Sequence, residues 1–519
     1  MVTIAPARST GTSEPLITER WSRESPTRVA IIVAWAAVTA AYVVLIAIGL
    51  THSPVDVDEG FNLTVVRNVV AAGTYSSDGL LTTGTTDDFD VRITTGPVVL
   101  LPAAALHAVG VDIVLAGRVV VSLFAFALAA GLAVLGHRTS GRWGAVVAAS
   151  TPLLLDTFTF GDSPVYGPND MLGEFPAAAL ITWSLVVVQR RPWLAGLLVG
   201  LALQSKLVAL LSVPALLALP IASRAWTRPW RSTLALGAFA ALPTLAFEFW
   251  HLFSVGWAPW LADLRALVAF AAEQGAETSY SAFKIGALAG SWFLPAPVVV
   301  IGVLAFAAFA GFALARAGSA AFAGRVGIAH LAAGALLVTM FAAQWLASTS
   351  SPPTRTRHAM IGIVVGTALI LAAGVALARF SLTLLPPRAA PWAPVAGLAT
   401  AGVLSIQIMT HIGAAVDYQR YGTLGEQRAY AAALATTGSE SVQGPWGIIA
   451  ALAVMADMRS QGLQEGTDPS IPIVIDRYPD IQRTVSPQVL AAELCGDHFP
   501  DPGVNMVSRL YVCEPLHAD

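Results

Sequence analysis

The strongest constraint on this chain is a succession of apolar stretches, most of them about as long as a bilayer is thick. A membrane span needs about 20 mostly apolar residues, and residues 29–50 supply the first without a charged side chain. Further stretches follow at 113–135, 143–160, 171–188, 193–205, 207–222, 233–253, 286–315, 326–347, 360–378 and 392–409, eleven in all. The fifth and sixth are short and meet at Gln204-Ser205-Lys206. The first is too long for the apolar part of a secretory signal, and no small-residue cleavage site follows it, so it reads as a retained anchor. With 55% of 519 residues hydrophobic and 12% charged, a single aqueous globule, a disordered chain and a coiled coil are excluded. The net charge of -3, without a basic field, gives nucleic acid nothing to bind. The expected class is an all-α polytopic membrane protein.

The arginines set the expected orientation, because cytoplasmic connections accumulate positive charge. A cytoplasmic N-terminus (1–28) and alternating spans make 137–142, 189–192, 223–231, 316–325 and 379–391 the inward connections. These carry Arg138, Arg142, Arg190, Arg191, Arg224, Arg228, Arg231, Arg316, Arg325, Arg379 and Arg388 and no acidic residue. Most of the acids fall on the outward side. The chain thus divides into the cytoplasmic tail, a transmembrane domain over 29–410 with an outward loop at 51–112, and an outward tail over 411–519. The host membrane is expected to be the plasma, or inner, membrane.

Within the first outward loop, 59–72 places Phe61, Val65, Val66, Val69 and Val70 on one helical face, and 96–109 is apolar but broken by Pro102. Both suit helices lying at the membrane interface. The outward tail contains IPIVIDRYPD at 471–480, which reads as a buried strand running into a turn, after a helical pattern around 448–458. A small extracytoplasmic α/β domain is expected there. Its two cysteines, Cys495 and Cys513, lie where an oxidising compartment permits a disulfide; a bridge of that span adds on the order of 3 kcal/mol. Two unpaired thiols are the alternative. No internal repeat supports an inverted-repeat transporter.

The sharpest polar feature is Asp56-Val57-Asp58-Glu59 where the first span ends. Asp58 either caps the helix that follows or, with Asp56 and Glu59 nearby, serves as a base toward a hydroxyl or a ligand of a divalent cation. Lys206 interrupts an apolar stretch, where a charge at a span centre costs about 2.5–3.5 kcal/mol; it either snorkels to the surface or has a function. Arg118 enters the second span near its outer end, positioned to pair with a loop acid or hold an anion. Asp162, Asp170 and Glu174 form a second acidic group on the same side. Arg355, Arg357 and His358 lie on an outward connection, against the arginine rule, and so suggest an anion such as phosphate. His107, His251 and His411 read as isolated polar tips, and Trp250, Trp257 and Trp260 as part of an interfacial aromatic belt.

The order of these features resembles the GT-C glycosyltransferases, in particular protein O-mannosyltransferases and the lipid A aminoarabinose transferases. Asp58-Glu59 matches the acidic pair that opens their first outward loop, and Arg118 the arginine that begins their second span. Ser140-Gly141-Arg142 matches the short turn after it. Asp162, Asp170 and Glu174 match the second acidic loop, and the Gly200-Leu201 to Lys206 string matches the end of the fifth span. The resemblance covers residues 29–222 closely and the later spans by general plan. Thr94-Thr95-Gly96-Pro97 departs from the Lys-Pro-Pro or His-Pro-Pro word common before the second interfacial helix.

The resemblance implies a membrane enzyme that moves a sugar from a polyprenyl-phosphate donor to an extracytoplasmic glycan, lipid or protein acceptor. It implies Asp58 as general base with Asp56 and Glu59 as alternatives. Lys206, Arg118, Arg355, Arg357, His358, Asp170 and Glu174 are the expected donor-binding residues. The residues fix no cofactor; a divalent cation is the candidate, with Asp58 and Asp170 as the residues placed to share it. The competing readings are a lipid or small-molecule transporter and a catalytically silent partner in envelope assembly.

Overall fold

In the computed structural model the described residues are 17–78, 89–90, 93, 95–154, 171–275, 325–348, 357–384, 392–417, 422–436, 438–444, 448–462, 471–476 and 510–513. Helix α1 (Ile17–Thr51) leads through a short turn into α2 (Val57–Ala72), then α3 (Pro97–Ala108) and α4 (Ile113–Leu154). The middle of the chain gives α5 (Glu174–Val187), α6 (Pro192–Leu203), a 3-10 turn (Leu207–Ser212), α7 (Val213–Ala222), α8 (Pro229–Val255) and α9 (Trp257–Gly275). Three further long helices follow, α10 (Arg325–Ser348), α11 (Arg357–Leu384) and α12 (Trp392–Asp417). Proline at the first helical position starts α3, α6 and α8, where its missing N–H would have no helical partner.

Among the described residues, five helices are long and apolar enough to cross a membrane, including the expected first, tenth and other long spans. Helix α4, 42 residues long, breaks at Ser140 and Gly141, whose dihedrals leave the helical region. A straight helix would hold residues 136 and 148 about 18 Å apart at 1.5 Å per residue. Instead a Cβ at Gly136 would lie 2.7 Å from that of Ala148. The element is therefore a hairpin of two spans, and its corner is the turn expected at Ser140-Gly141-Arg142. The stretches expected at 171–188, 193–205 and 207–222 form shorter apolar helices, with the break between the last two at Gln204-Ser205-Lys206. The stretch at 286–315 lies outside the described residues.

The main core packs α4 to α7 against α10 and α11, with Trp345 and Phe341 fully buried. A second core, at one end of the bundle, joins α2, α3 and the start of α4 to the chain after residue 422. There α13 (Leu424–Ala435) begins with a Thr423/Glu426 capping box. Strand β1 (Ser441–Gly444), helix α14 (Ile449–Met455) and strand β2 (Arg459–Gly462) form a parallel β–α–β unit, extended by β3 (Ile473–Asp476) and β4 (Leu510–Cys513). The sheet order is β2-β1-β3-β4. Both a strand within the expected 471–480, at Ile473–Asp476, and the helix near 448–458 are present. Cys513 stands on β4, while Cys495 lies outside the described residues.

Helix α2 buries Glu59, Asn62, Thr64, Arg67 and Asn68 together with Phe61, Val65 and Val66, while Val70 is exposed. Helix α14 packs against α2. A Cβ on Gly60 would meet the Ala451 backbone nitrogen at 2.5 Å, so the two helices approach closely only because residue 60 has no side chain.

Candidate active site

The chain leaves α1 and starts α2 within a few residues, and the sequence Asp56–Glu59 occupies that corner. Asp56 is the helix cap: its backbone is extended, and its Oδ1 accepts a hydrogen bond from the Glu59 N–H at 2.7 Å. That role was expected of Asp58. The expected position was displaced by two residues because the chain is still extended at Asp56 and helical from Val57. Asp58 therefore sits in the first turn of α2, half-buried, and the cap does not depend on it.

Glu59 meets Arg118 from α4. Arg118 Nε donates to Glu59 Oε1 at 2.8 Å and Nη2 to Oε2 at 2.7 Å, with both side chains 1% exposed. The remaining guanidinium hydrogens go to backbone carbonyls of the α1–α2 corner, Gly49, Ser53 and Pro54. Every one of the five N–H donors of the fork thus has an acceptor. Of the alternatives raised for Arg118, pairing with a loop acid is the one realised. Glu59 is thus held on both oxygens by Arg118.

A second buried pair lies nearby. Lys206 Nζ is 3.2 Å from Glu174 Oε1, and neither side chain is more than 8% exposed. Glu174 opens α5, and Lys206 stands at the break between α6 and the 3-10 turn. Two contacts join this pair to the α2 corner. Asn62, one turn beyond Asp58 and Glu59, donates to the Met171 carbonyl at 2.8 Å and to Thr95 Oγ1 at 3.0 Å. The Gly96 N–H donates to the Ser205 carbonyl at 3.2 Å. Residues from α2, α3, α4, α5 and the α6 end are thereby drawn to the same end of the bundle. Asn62 was missed from the sequence, where an asparagine inside an apolar helix carries no signal of its partners.

The segment between α2 and α3 is pinned in two further places. Asp78 receives Arg67 Nη2 at 2.6 Å on each oxygen, Asn68 Nδ2 at 3.1 Å, and the Ser460 N–H and Oγ at 2.9 and 3.0 Å. Phe89 stacks on His251 with ring centroids 4.2 Å apart. His251 Nε2 lies 2.9 Å from Asp263 Oδ2, and its Nδ1 lies 3.5 Å from Glu248 Oε2. His251 is therefore not the isolated tip expected. Trp250 likewise belongs to a packed aromatic group with Tyr75, Phe89 and Phe247, whereas Trp257 is exposed. Burial, with Asp90 beside it, holds the Tyr75 phenol neutral well above its usual range.

Of the other expected site residues, Asp162, Asp170 and Arg355 lie outside the described residues, and Arg357 and His358 are described only as the helical start of α11. Among the described residues no group of three His, Cys, Asp or Glu side chains is arranged to hold a metal ion. The second ligand of the expected cation pair, Asp170, is not among them.

No protein-family model matches the chain, and no curated protein matches it significantly. Solved structures do. ArnT from Cupriavidus metallidurans bound to undecaprenyl phosphate superposes with a TM-score of 0.57 at 14% identity, over 93% of this chain and 97% of that one. The same protein in the apo state gives 0.59 at 14% identity, over 94% and 98%. Over nearly the full length of both chains the protein shares the fold of ArnT.

Proposed function

We propose that this chain is an integral-membrane glycosyltransferase that moves a sugar from a polyprenyl-phosphate donor to an acceptor outside the cytoplasm, with inversion at the anomeric carbon. The observation that carries the proposal is the meeting of acidic and cationic side chains from separate helices at one end of a bundle whose fold is that of a protein solved with undecaprenyl phosphate. The chain lies in the plasma membrane, with the N-terminus cytoplasmic and the C-terminal sheet outside.

The chemistry needs a base and a place for departing negative charge. Asp58 is the base: it stands half-buried in the first turn of α2, at the corner that Glu59 and Arg118 tie to the bundle. It takes the acceptor hydroxyl proton as that oxygen forms a bond to the anomeric carbon. The bond from that carbon to the phosphate oxygen breaks, and the polyprenyl phosphate leaves with the electron pair. A lipid phosphate is a weak base, so it calls for cations more than for a general acid. Lys206 supplies one, with Arg355, Arg357 and His358 as further candidates. A single displacement without a covalent intermediate gives inversion. Asp170 and Glu174 flank the donor on the second acidic segment, and Asp170 with Asp58 is the place for a divalent cation. Cys495 and Cys513 are the pair proposed to form a disulfide.

The test is Asp58→Asn in membranes supplied with a polyprenyl-phosphate sugar. The substitution leaves the Asp56 cap untouched, so protein level and thermal stability should match the parent. Transfer should fall at least 100-fold. Retained transfer at wild-type rate rejects Asp58 as the base, and an inactive wild type across polyprenyl-linked sugars rejects the enzyme reading itself.

A further inference from the structure

The carboxylates at 56, 58 and 59 are bracketed by two residues that the C-terminal segment holds. On one side stands Val55. Its N–H donates to Gln427 Oε1 at 2.6 Å, and its carbonyl accepts from Gln427 Nε2 at 2.8 Å. A carboxamide presents an acceptor and a donor side by side, so one side chain takes both polar groups of one backbone residue. Val55 and Gln427 are each fully buried, and no water is at hand to replace either bond. Three residues earlier on α13, the Leu424 N–H donates to the His52 carbonyl at 2.9 Å. On the other side stands Gly60, over which the Ala451 backbone of α14 lies too close to admit a Cβ.

These contacts concern the aim of the site. A carboxylate acting as a base must lie within hydrogen-bond reach of the proton it removes, and a displacement of about 1 Å can cost 100-fold in rate. The short stretch from Val55 to Gly60 has its position fixed at both ends from the C-terminal side and at Glu59 by Arg118 from the bundle side. From this we infer that Gln427 is a positioning residue for the Asp58 carboxylate, and that the segment after residue 422 completes the site by setting where its base points. The inference rests on the glycosyltransferase reading above.

Gln427→Met keeps the length and apolar packing of the side chain while removing both hydrogen bonds. At matched amounts of monodisperse protein it should lower kcat at least 10-fold, with the KM for the polyprenyl-phosphate sugar within 2-fold of wild type. Arg428→Ala, which removes only the exposed pair with Asp112, should leave kcat unchanged. Amide hydrogen exchange over residues 52–62 should quicken at least 10-fold in Gln427→Met and stay as in wild type for Arg428→Ala. If Gln427→Met does not fold, Gln427→Asn carries the same comparison, since it keeps both groups but sets them back by one carbon.

Wild-type kcat in the Gln427 variant, beside an inactive Asp58→Asn, overturns this inference and leaves the enzyme reading standing. So does a loss that falls equally on the Arg428 variant, or unchanged exchange over 52–62. Wild-type activity in Asp58→Asn, or none in the parent protein, rejects the underlying reading instead; the exchange data alone then decide whether Gln427 orders the corner.

Discussion

Arg118 and Glu59 meet through two parallel hydrogen bonds of 2.8 and 2.7 Å, in a place where neither side chain is more than 1% exposed. The pair joins the start of α4 to the first turn of α2, and the same guanidinium ties down the carbonyls that close α1. Removing one partner of such a pair leaves a buried charge without its counterpart, which typically costs 3–5 kcal/mol. Arg118→Met should therefore lower thermal stability in detergent by about that amount. Replacing both partners by apolar side chains of similar volume is often close to neutral, so Arg118→Met/Glu59→Leu should recover most of the loss. A double variant as unstable as the single one would show that the carbonyl contacts to Gly49, Ser53 and Pro54 carry the stability instead.

Gly60 offers a prediction in which two ordinary rules disagree. In an exposed helix interior, glycine to alanine stabilises by about 1 kcal/mol. Here the added carbon would sit 2.5 Å from the Ala451 nitrogen and 2.7 Å from its Cα, and neither is the movable end of a side chain. Overpacking of this kind costs about 1–3 kcal/mol, so Gly60→Ala should destabilise on balance. Chemical denaturation that follows the α2–α14 contact would register it as a lower midpoint.

Much of this architecture was legible in the sequence because hydrophobic length is a cumulative signal. The hairpin corner at Ser140-Gly141-Arg142, the break before Lys206 and the strand at 473–476 all follow from local composition. What escaped was decided by distant partners. Asp56 and Asp58 are equally good caps on paper; which one caps depends on where the chain stops being extended. His251 looked solitary because Phe89 and Asp263 come from other elements. Arg67, Asn62 and Gln427 gave no signal, since a polar side chain inside an apolar helix reads the same whether it faces water or meets an acceptor hundreds of residues away, as Gln427 does at Val55. The pairing of Lys206 with Glu174 fell between these cases: both residues stood out, but nothing in their spacing said that they touch.

Asp78 links the segment after α2 to β2. Each of its oxygens accepts from Arg67, and Oδ2 also accepts from the backbone and hydroxyl of Ser460. In Asp78→Asn one oxygen becomes an NH2 group facing donors, and the charge opposite Arg67 is gone. A buried donor left without an acceptor costs about 1–3 kcal/mol, and more when the partner is charged. The effect should be local. Limited proteolysis should cut within 436–462 at least several-fold faster, while the unfolding temperature of the bundle changes little. Equal protection in the variant would mean that the α2–α14 packing alone holds the C-terminal segment in place.

Lys206 and Glu174 allow the proposed donor site to be tested in two opposed directions. The ammonium lies 3.2 Å from the carboxylate with both groups buried, so a phosphate that binds Lys206 must share it with Glu174. Hydrogen bonds to charged groups contribute about 1.5–3 kcal/mol, or roughly 10- to 100-fold in affinity. Lys206→Met should raise the KM for a polyprenyl-phosphate sugar by that factor. Glu174→Gln removes the competing charge while keeping a hydrogen-bonding side chain of the same size, so it should lower the KM, by a smaller factor because the amide still accepts from Lys206. If both substitutions raise the KM equally, the pair holds α5 against the α6 end and takes no phosphate. Steady-state kinetics in detergent, with the donor varied at saturating acceptor, separate the two cases, and rising salt should weaken the effect only slightly because the pair is buried.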